Sequence, residues 1–335
     1  MPYDLLPPQP AGPAPTVSVA MITFQHEAFI AQAIESVLRQ QTNFPVELVI
    51  GEDCSPDRTR QIVLDYQRRH PGKIRLLLWH QNGGMMQNAR QTLHACRGEF
   101  VAPLEGDDYW LGTEKLQRQV DFLRAHPDCS MCFHDVVVAE GNAGHGTRRF
   151  LPSKPPALAT TADILAYNFV PTCSVVFRRD ALPPLPAPVQ RLSMQDWPMW
   201  VLLSRAGSLA FLDEVWGCYR LHAGGAWSSR SHEKQLRGII QFYETMFAAL
   251  PADYRGQIRS HLKAALAGLV EELVVNGHWR DARRPALRYL WLPPRRWRTP
   301  AGRAGLYCRL LFGRPSAVML KRGLVHPMAG PLNSR

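Results

Sequence analysis

The chain has 335 residues, 46 % of them hydrophobic, with 39 Lys+Arg against 28 Asp+Glu for a formal net charge of +11. This composition excludes a disordered chain and suits one α/β domain of about 200–250 residues with an appendage, or two domains. No apolar run approaches the roughly 18 residues that span a bilayer, and seven scattered cysteines, an odd number, argue against a disulfide framework.

Met1 to Pro15 carries six prolines and neither a basic n-region nor an apolar h-region. It reads as an extended leader rather than a signal peptide, so a cytoplasmic location is expected. Val17–Ile22 is a buried strand by pattern. His26–Gln41 follows as a helix, with Phe29, Ile30, Ala33, Ile34, Val37 and Leu38 on one face. Glu47–Ile50 is the next strand. Ser55-Pro56 has the form of an N-cap followed by proline at N1, opening a helix through Ile62, Val63 and Tyr66. Ile74–Trp79 and Phe100–Leu104 are strands, separated by a helix at Met86–Cys96, and Thr113–His126 is a further helix. Cys129–Val138 reads as a buried strand. It holds Cys129 and Cys132, a Cys-x-x-Cys with no second pair to complete a zinc site. Alternation of strands and helices predicts parallel pairing with right-handed crossovers. Gly141–Gly146 and Pro152–Pro156 are loops. Ser174–Phe177 and Val215–Tyr219 are later strands, with a helix at Trp197–Ala206. Beyond Ser231 the chain reads as helical through about Asn276, then becomes rich in Arg, Trp, Leu and Pro. The expected organisation is a leader at 1–15, an α/β domain at 16–228 and a helical, basic region at 229–335.

In a parallel α/β sheet, ligands sit at the carboxyl ends of the strands. Two acidic clusters fall at such ends: Glu52-Asp53-Cys54-Ser55-Pro56-Asp57 and Glu105-Gly106-Asp107-Asp108. Three carboxylates in four residues repel one another, and a divalent cation relieves the repulsion. Mg²⁺ or Mn²⁺ suits such oxygen ligands, with a substrate's phosphates completing the shell. The plainer alternative is a solvated acidic turn. Asp196, before Trp197-Pro198, fits a helix N-cap. His222, in the turn Tyr219-Arg220-Leu221-His222-Ala223-Gly224-Gly225, either completes a metal site or has no special role.

Taken in order, these elements resemble the family 2 glycosyltransferases of the GT-A fold, over about Val17 to Ser228. Val17-Ser18-Val19-Ala20-Met21-Ile22-Thr23-Phe24 with Ser36-Val37-Leu38-Arg39-Gln40 is similar to the family's first strand and helix. Gly51 to Thr59 is similar to its acidic nucleotide loop, and Leu104-Glu105-Gly106-Asp107-Asp108-Tyr109-Trp110 to its DXD metal motif. Gln195-Asp196-Trp197 matches the place of its acidic base motif, and Tyr219-Arg220-Leu221-His222 a later motif whose histidine reaches the metal or diphosphate. The resemblance implies a Rossmann-like, mostly parallel central sheet flanked by helices. It implies inverting, metal-dependent hexosyl transfer from a UDP-, GDP- or dTDP-linked donor to a hydroxyl of a lipid-linked or cell-surface glycan precursor. Glu52 and Asp53 would then contact the base and ribose, with Asp57, Gly106 and Asp108 in the same nucleotide-sugar site. Glu105 would contact ribose or a metal-bound water. Asp107 would bind Mg²⁺ or Mn²⁺, joined by His222. Asp196 would deprotonate the acceptor, and Arg90 and His222 would steady the diphosphate. Trp110 and Trp197 fit either an acceptor platform or the core. The family usually has aspartate at Glu52 and Glu105 and glutamate at Gln195.

Charge separates the two parts of the chain. Residues 226–335 hold 19 Lys+Arg and 6 Asp+Glu, a net of +13, while residues 1–225 hold 20 and 22, a net of −2. Arg283, Arg284, Arg288, Arg295, Arg296, Arg298, Arg303 and Arg309 are interleaved with Tyr289, Leu290, Trp291, Trp297, Leu306 and Tyr307. That mixture suits peripheral attachment to an anionic membrane on its cytoplasmic face, or a solvated tail. Nucleic-acid binding fits less well, because the acidic loops repel phosphates and no binding motif is present. A dinucleotide oxidoreductase lacks its Gly-x-Gly-x-x-Gly in the first βα turn. A catalytically inactive nucleotide-sugar binder is the remaining alternative.

Overall fold

The computed structural model describes residues 2–6, 14–140 and 148–292. The basic positions Arg295, Arg296, Arg298, Arg303 and Arg309, their aromatic neighbours Trp297 and Tyr307, and the loop expected at 141–146 lie outside them. Up to the first long crossover the elements are β1 (Tyr3–Leu6), β2 (Val17–Thr23), α1 (Ile30–Leu38), β3 (Val46–Glu52), α2 (Thr59–Arg69), β4 (Ile74–Trp79), α3 (Met85–Ala95), β5 (Phe100–Glu105), β6 (Tyr109–Trp110), α4 (Lys115–Ala125) and β7 (Cys129–Glu140). Then come β8 (Arg148–Arg149), β9 (Leu158–Ala159), α5 (Thr161–Ala166), β10 (Val176–Arg178), α6 (Asp196–Ala206), β11 (Ser208–Leu221), α7 (His232–Ala249), α8 (Arg255–Val275) and α9 (Trp279–Trp291).

The described residues form two compact units. The first draws on the described residues within 2–164, 168–185 and 195–225; the second on those within 165–167, 186–194 and 226–292. The first unit is one sheet in the order β1-β4-β3-β2-β5-β10-β7-β11-β6, with β8 on β7 and β9 on β11. β2 pairs in parallel with β3 and with β5, β3 with β4, and β7 with β11. β2 lies between β3 and β5 and is buried along almost its whole length. Val17, Val19 and Met21 are fully buried, packed with Ile30, Ala33, Ile34 and Val37 of α1 in the main core cluster. Burying each such large side chain contributes roughly 1.5–3 kcal/mol.

Several local expectations shift. The leader contributes a strand: Tyr3–Leu6 pairs antiparallel with β4, since the prolines that lack a ladder N–H crowd in only after Leu6. The first helix starts at Ile30, not His26. Gln25 sits at φ 57, and the backbone N–H groups of Gln25, His26 and Glu27 are held by Ser55, Thr59 and Asp57 side chains. Ser55-Pro56 does not open α2, which starts at Thr59 with its N–H on Asp57 Oδ1 at 3.0 Å. Ser174 ends a 3₁₀ turn, and the strand expected there is β10, wedged antiparallel between β5 and β7. Trp110 and Trp197 are core residues. Trp110 Nε1 donates to the Cys173 carbonyl and Trp197 Nε1 to the Ile164 carbonyl, which settles their indoles inside the fold. Cys129 and Cys132 are buried free thiols.

The second unit is helical. Ser231 Oγ accepts from the Lys234 N–H at the start of α7, and Lys263 of α8 lies 4.6 Å over the Tyr289 ring of α9. Ala282, Pro285, Ala286 and Tyr289 form the buried side of α9. Among the described residues, no helix is long and apolar enough to cross a membrane.

Candidate active site

The end of β2 brings the two acidic turns together. Asp53 donates its backbone N–H to the Thr23 carbonyl at 3.1 Å, and Gly106 donates to the Ile22 carbonyl at 2.8 Å. The turns leaving β3 and β5 therefore flank the same strand end, as the parallel order requires.

The first turn is satisfied from within. Glu52 is fully buried; one oxygen accepts the Ser55 N–H at 2.6 Å and the other pairs with Arg60. Its side chain reaches back to the start of α2, so both of its oxygens have partners within the protein. Asp53 is 1 % exposed and accepts the N–H groups of Gly83 and Gly84 at 2.7 and 3.0 Å. Gly84 holds φ at 84°, a conformation that favours glycine. Burial raises the Asp53 pKa, and those two N–H bonds pull against it. Asp57 is likewise occupied by backbone: Oδ1 takes Thr59 and Oδ2 takes Glu27 at 3.2 Å. Arg90 stands partly exposed on α3, the helix that follows the Gly83-Gly84 turn.

The second turn is satisfied only in part. Gly106 has no room for a side chain, since a Cβ would lie 2.7 Å from Thr23 Oγ1 and 3.0 Å from His26 Nδ1. Asp107 Oδ2 is 2.9 Å from His222 Nε2 and 3.6 Å from His26 Nε2. Among the described residues its Oδ1 is buried without a hydrogen-bond partner, as is Oε2 of Glu105. Burial opposes ionisation of Asp107, but the His222 hydrogen bond and the nearby His26 outweigh it and hold the pKa below the usual value. Burial first, then the charges of Asp107 and Asp196, push Glu105 up to about 8. Asp108 is buried, with its pKa raised well above the usual value by burial and by Asp107 and Glu105, and its Oδ1 accepts the Arg220 N–H at 2.8 Å. It ties the turn to β11. Arg220 completes that tie by donating to the Asp107 carbonyl and to Gln32 Oε1, with its guanidinium 4.3 Å over the Tyr109 ring.

Asp196 arrives from α6. It is the first helical residue rather than the N-cap, a place taken by Gln195. Its Oδ2 accepts Asn168 Nδ2 at 2.9 Å. Burial raises its pKa, while the Trp197 N–H and Asn168 lower it. Its charge acts on Glu105, so Glu105, Asp107 and Asp196 share one electrostatic environment. Ligand atoms of His26, Asp107 and His222 all lie within 4.8 Å of one another. This nitrogen and oxygen set, with the orphaned Asp107 oxygen beside it, fits a divalent cation. Sequence reasoning missed His26, Asn168, Gln32 and the tying role of Arg220. Only His26 left a trace, as a polar residue in the first βα turn at the carboxyl end of β2.

The family model for glycosyl transferase family 2 matches residues 18–183. The chain carries a glycosyl transferase family 2 domain. Asp196 and His222 lie beyond the matched stretch. The uncharacterized protein Rv1520 of Mycobacterium tuberculosis is 36 % identical over 236 residues, which cover 68 % of this chain and 64 % of the relative. This chain thus spans just under two thirds of that relative's length. TuaG of Bacillus subtilis, provisionally named a teichuronic acid biosynthesis glycosyltransferase, is 27 % identical over 62 % of this chain and 79 % of its own. Two solved structures share the fold. S. aureus TarS 1-349 in complex with UDP-GlcNAc superposes with a TM-score of 0.59 at 20 % identity, covering 83 % of this chain and 82 % of that one. The mannosyltransferase PcManGT of Pyrobaculum calidifontis, in complex with GDP-Man and Mn²⁺, gives 0.54 at 15 % identity, covering 92 % and 82 %. The architecture is accordingly a GT-A-like α/β sheet with a parallel core, followed by a helical C-terminal region.

Proposed function

We propose that the chain is an inverting glycosyltransferase that moves a hexosyl group from a nucleotide-sugar donor to a hydroxyl acceptor. The observation that carries this reading is the grouping of Glu105, Asp107, Asp196 and His222 at the carboxyl end of the parallel strands, two of them with buried oxygens that no group among the described residues satisfies. Asp107 and His222 would hold Mg²⁺ or Mn²⁺, which when bound neutralises charge on the diphosphate leaving group. The Asp53 turn and Gly106 give the nucleotide a backbone-lined floor, and Glu105 faces its ribose. Arg90 supports the diphosphate from α3. Asp196, whose pKa burial raises while the Trp197 N–H and Asn168 pull it down, takes the acceptor's proton as the hydroxyl attacks. A single displacement from the face opposite the phosphate inverts the anomeric centre. TarS and PcManGT, which bind UDP-GlcNAc and GDP-Man, make UDP- and GDP-sugars the first donors to try.

The acceptor we infer is a precursor of a cell-surface polymer, in keeping with the teichuronic acid assignment carried by TuaG's name. Attachment to the cytoplasmic face of a membrane fits it. The outward side of α9 mixes the exposed Arg280, Arg283 and Arg284 with Leu287, Leu290 and Trp291, the last 84 % exposed. Arginine beside exposed indole and leucine suits an anionic lipid surface. Vesicle flotation tests this: full-length protein should float with anionic but not neutral vesicles, and equal flotation of a chain ending at Asp281 would defeat it. For the reaction itself, a thermal-shift panel of UDP-, GDP- and dTDP-sugars with and without Mn²⁺ is decisive. One donor should stabilise the protein, and only with metal present. No response to any donor would overturn the reading.

A further inference from the structure

A site built on one carboxylate holds Mg²⁺ or Mn²⁺ weakly until substrate phosphates arrive. The arrangement around Asp107 is richer than that. His26 Nε2 stands 3.6 Å and His222 Nε2 2.9 Å from the same oxygen, Asp107 Oδ2. Ligands bound about 2.0–2.2 Å from one cation are spaced about 3–3.5 Å apart, close to both separations. His26 is also positioned from outside the cluster. Its backbone N–H is on Thr59 Oγ1 at 2.9 Å, and Phe29 lies against its ring edge-on at 6.5 Å. The missing side chain at Gly106 leaves room for the imidazole, and His26 Nδ1 is buried without a partner. Phe29 packs on the His222 ring as well, at 4.7 Å, so one apolar side chain backs both imidazoles.

We propose that His26 is a third protein ligand, and that His26, Asp107 and His222 bind one divalent transition-metal ion before any nucleotide arrives. Two imidazoles and a carboxylate favour Mn²⁺, Co²⁺ or Zn²⁺ over Mg²⁺, which prefers an all-oxygen shell. The proposal rests on the glycosyltransferase reading only for the use of the ion, not for its binding.

The test is Co²⁺ titration of full-length, nucleotide-free protein followed by visible absorption, with Mn²⁺ followed by electron paramagnetic resonance. Wild type should bind one Co²⁺ per chain, with Mg²⁺ competing poorly. His26→Gln should weaken binding by at least about 10-fold, with circular dichroism unchanged, whereas His94→Gln, an exposed histidine on α3, should bind as wild type. Absence of Co²⁺ and Mn²⁺ binding without nucleotide overturns the proposal, as does His26→Gln binding equal to wild type. The two readings fail separately. Metal binding with no thermal response to any sugar nucleotide removes the enzyme and keeps the site. A metal-dependent donor response that His26→Gln leaves intact does the reverse.

Discussion

Residues 52–57 and 105–108 leave the carboxyl ends of β3 and β5, the strands on either side of β2, and both crowd carboxylates into a tight turn beside Thr23 and Ile22. In the first turn, Glu52, Asp53 and Asp57 accept from the backbone N–H groups of Ser55, Gly83, Gly84, Thr59 and Glu27 and from the Arg60 guanidinium. In the second, Glu105 Oε2 and Asp107 Oδ1 are buried with no partner, and Glu105 carries a pKa pushed up to about 8. A carboxylate with internal partners stabilises the fold. One held in a low-dielectric turn without them costs stability, and that cost is offset only when a ligand binds. Negative charge in a loop is thus ambiguous until its partners are known.

Mutations can break or sharpen this contrast. The largest effect belongs to the proposed base, which lies on neither turn. Asp196→Asn should lower turnover by about 10²–10⁴-fold, while donor-dependent thermal stabilisation persists; turnover equal to wild type would remove Asp196 from the chemistry. Next, Glu52→Ala should destabilise the protein by about 3 kcal/mol in urea unfolding, because it takes the acceptor from the Ser55 N–H and the buried carboxylate partner from Arg60. If it abolished turnover without a stability loss, the first turn would be a ligand turn after all. Asp107→Asn should abolish metal-dependent donor stabilisation and activity with a stability loss of no more than about 1 kcal/mol, since what it weakens in the metal-free protein is the bond to His222. A loss as large as that of Glu52→Ala would erase the distinction between the turns.

The smallest expected effect is on pH dependence. The base works ionised, and burial raises its pKa, so the acid limb of the rate profile should lie above the ordinary carboxylate range. Asn168 donates to Asp196 and lowers that pKa. Removing it in Asn168→Ala should raise the pKa further and move the acid limb upward by about half a pH unit to one unit. A limb that stays in place would show that another group sets it.

Much of the fold was legible in the sequence because it depends on short-range pattern. Val17–Thr23, Ile74–Trp79 and Phe100–Glu105 are apolar runs that only a doubly covered parallel strand can bury. Alternation of such strands with amphipathic helices then dictates the crossovers. The acidic turns, Asp196 and His222 were visible as residue types at strand ends and a helix start, although their partners were not. Hydrogen-bond satisfaction depends on residues 30 to 115 positions away, such as Gly83 for Asp53 and His222 for Asp107. No periodicity encodes such contacts. That is why the Arg60 partner of Glu52 was not foreseen, why His26 was read as the start of a helix, and why Asn168 drew no reading. Composition and pattern determined that this chain is a parallel α/β protein with carboxylates at its strand ends and a basic helical tail. Only the tertiary structure decided which carboxylates are already paired, because pairing is set by where distant strands end in space.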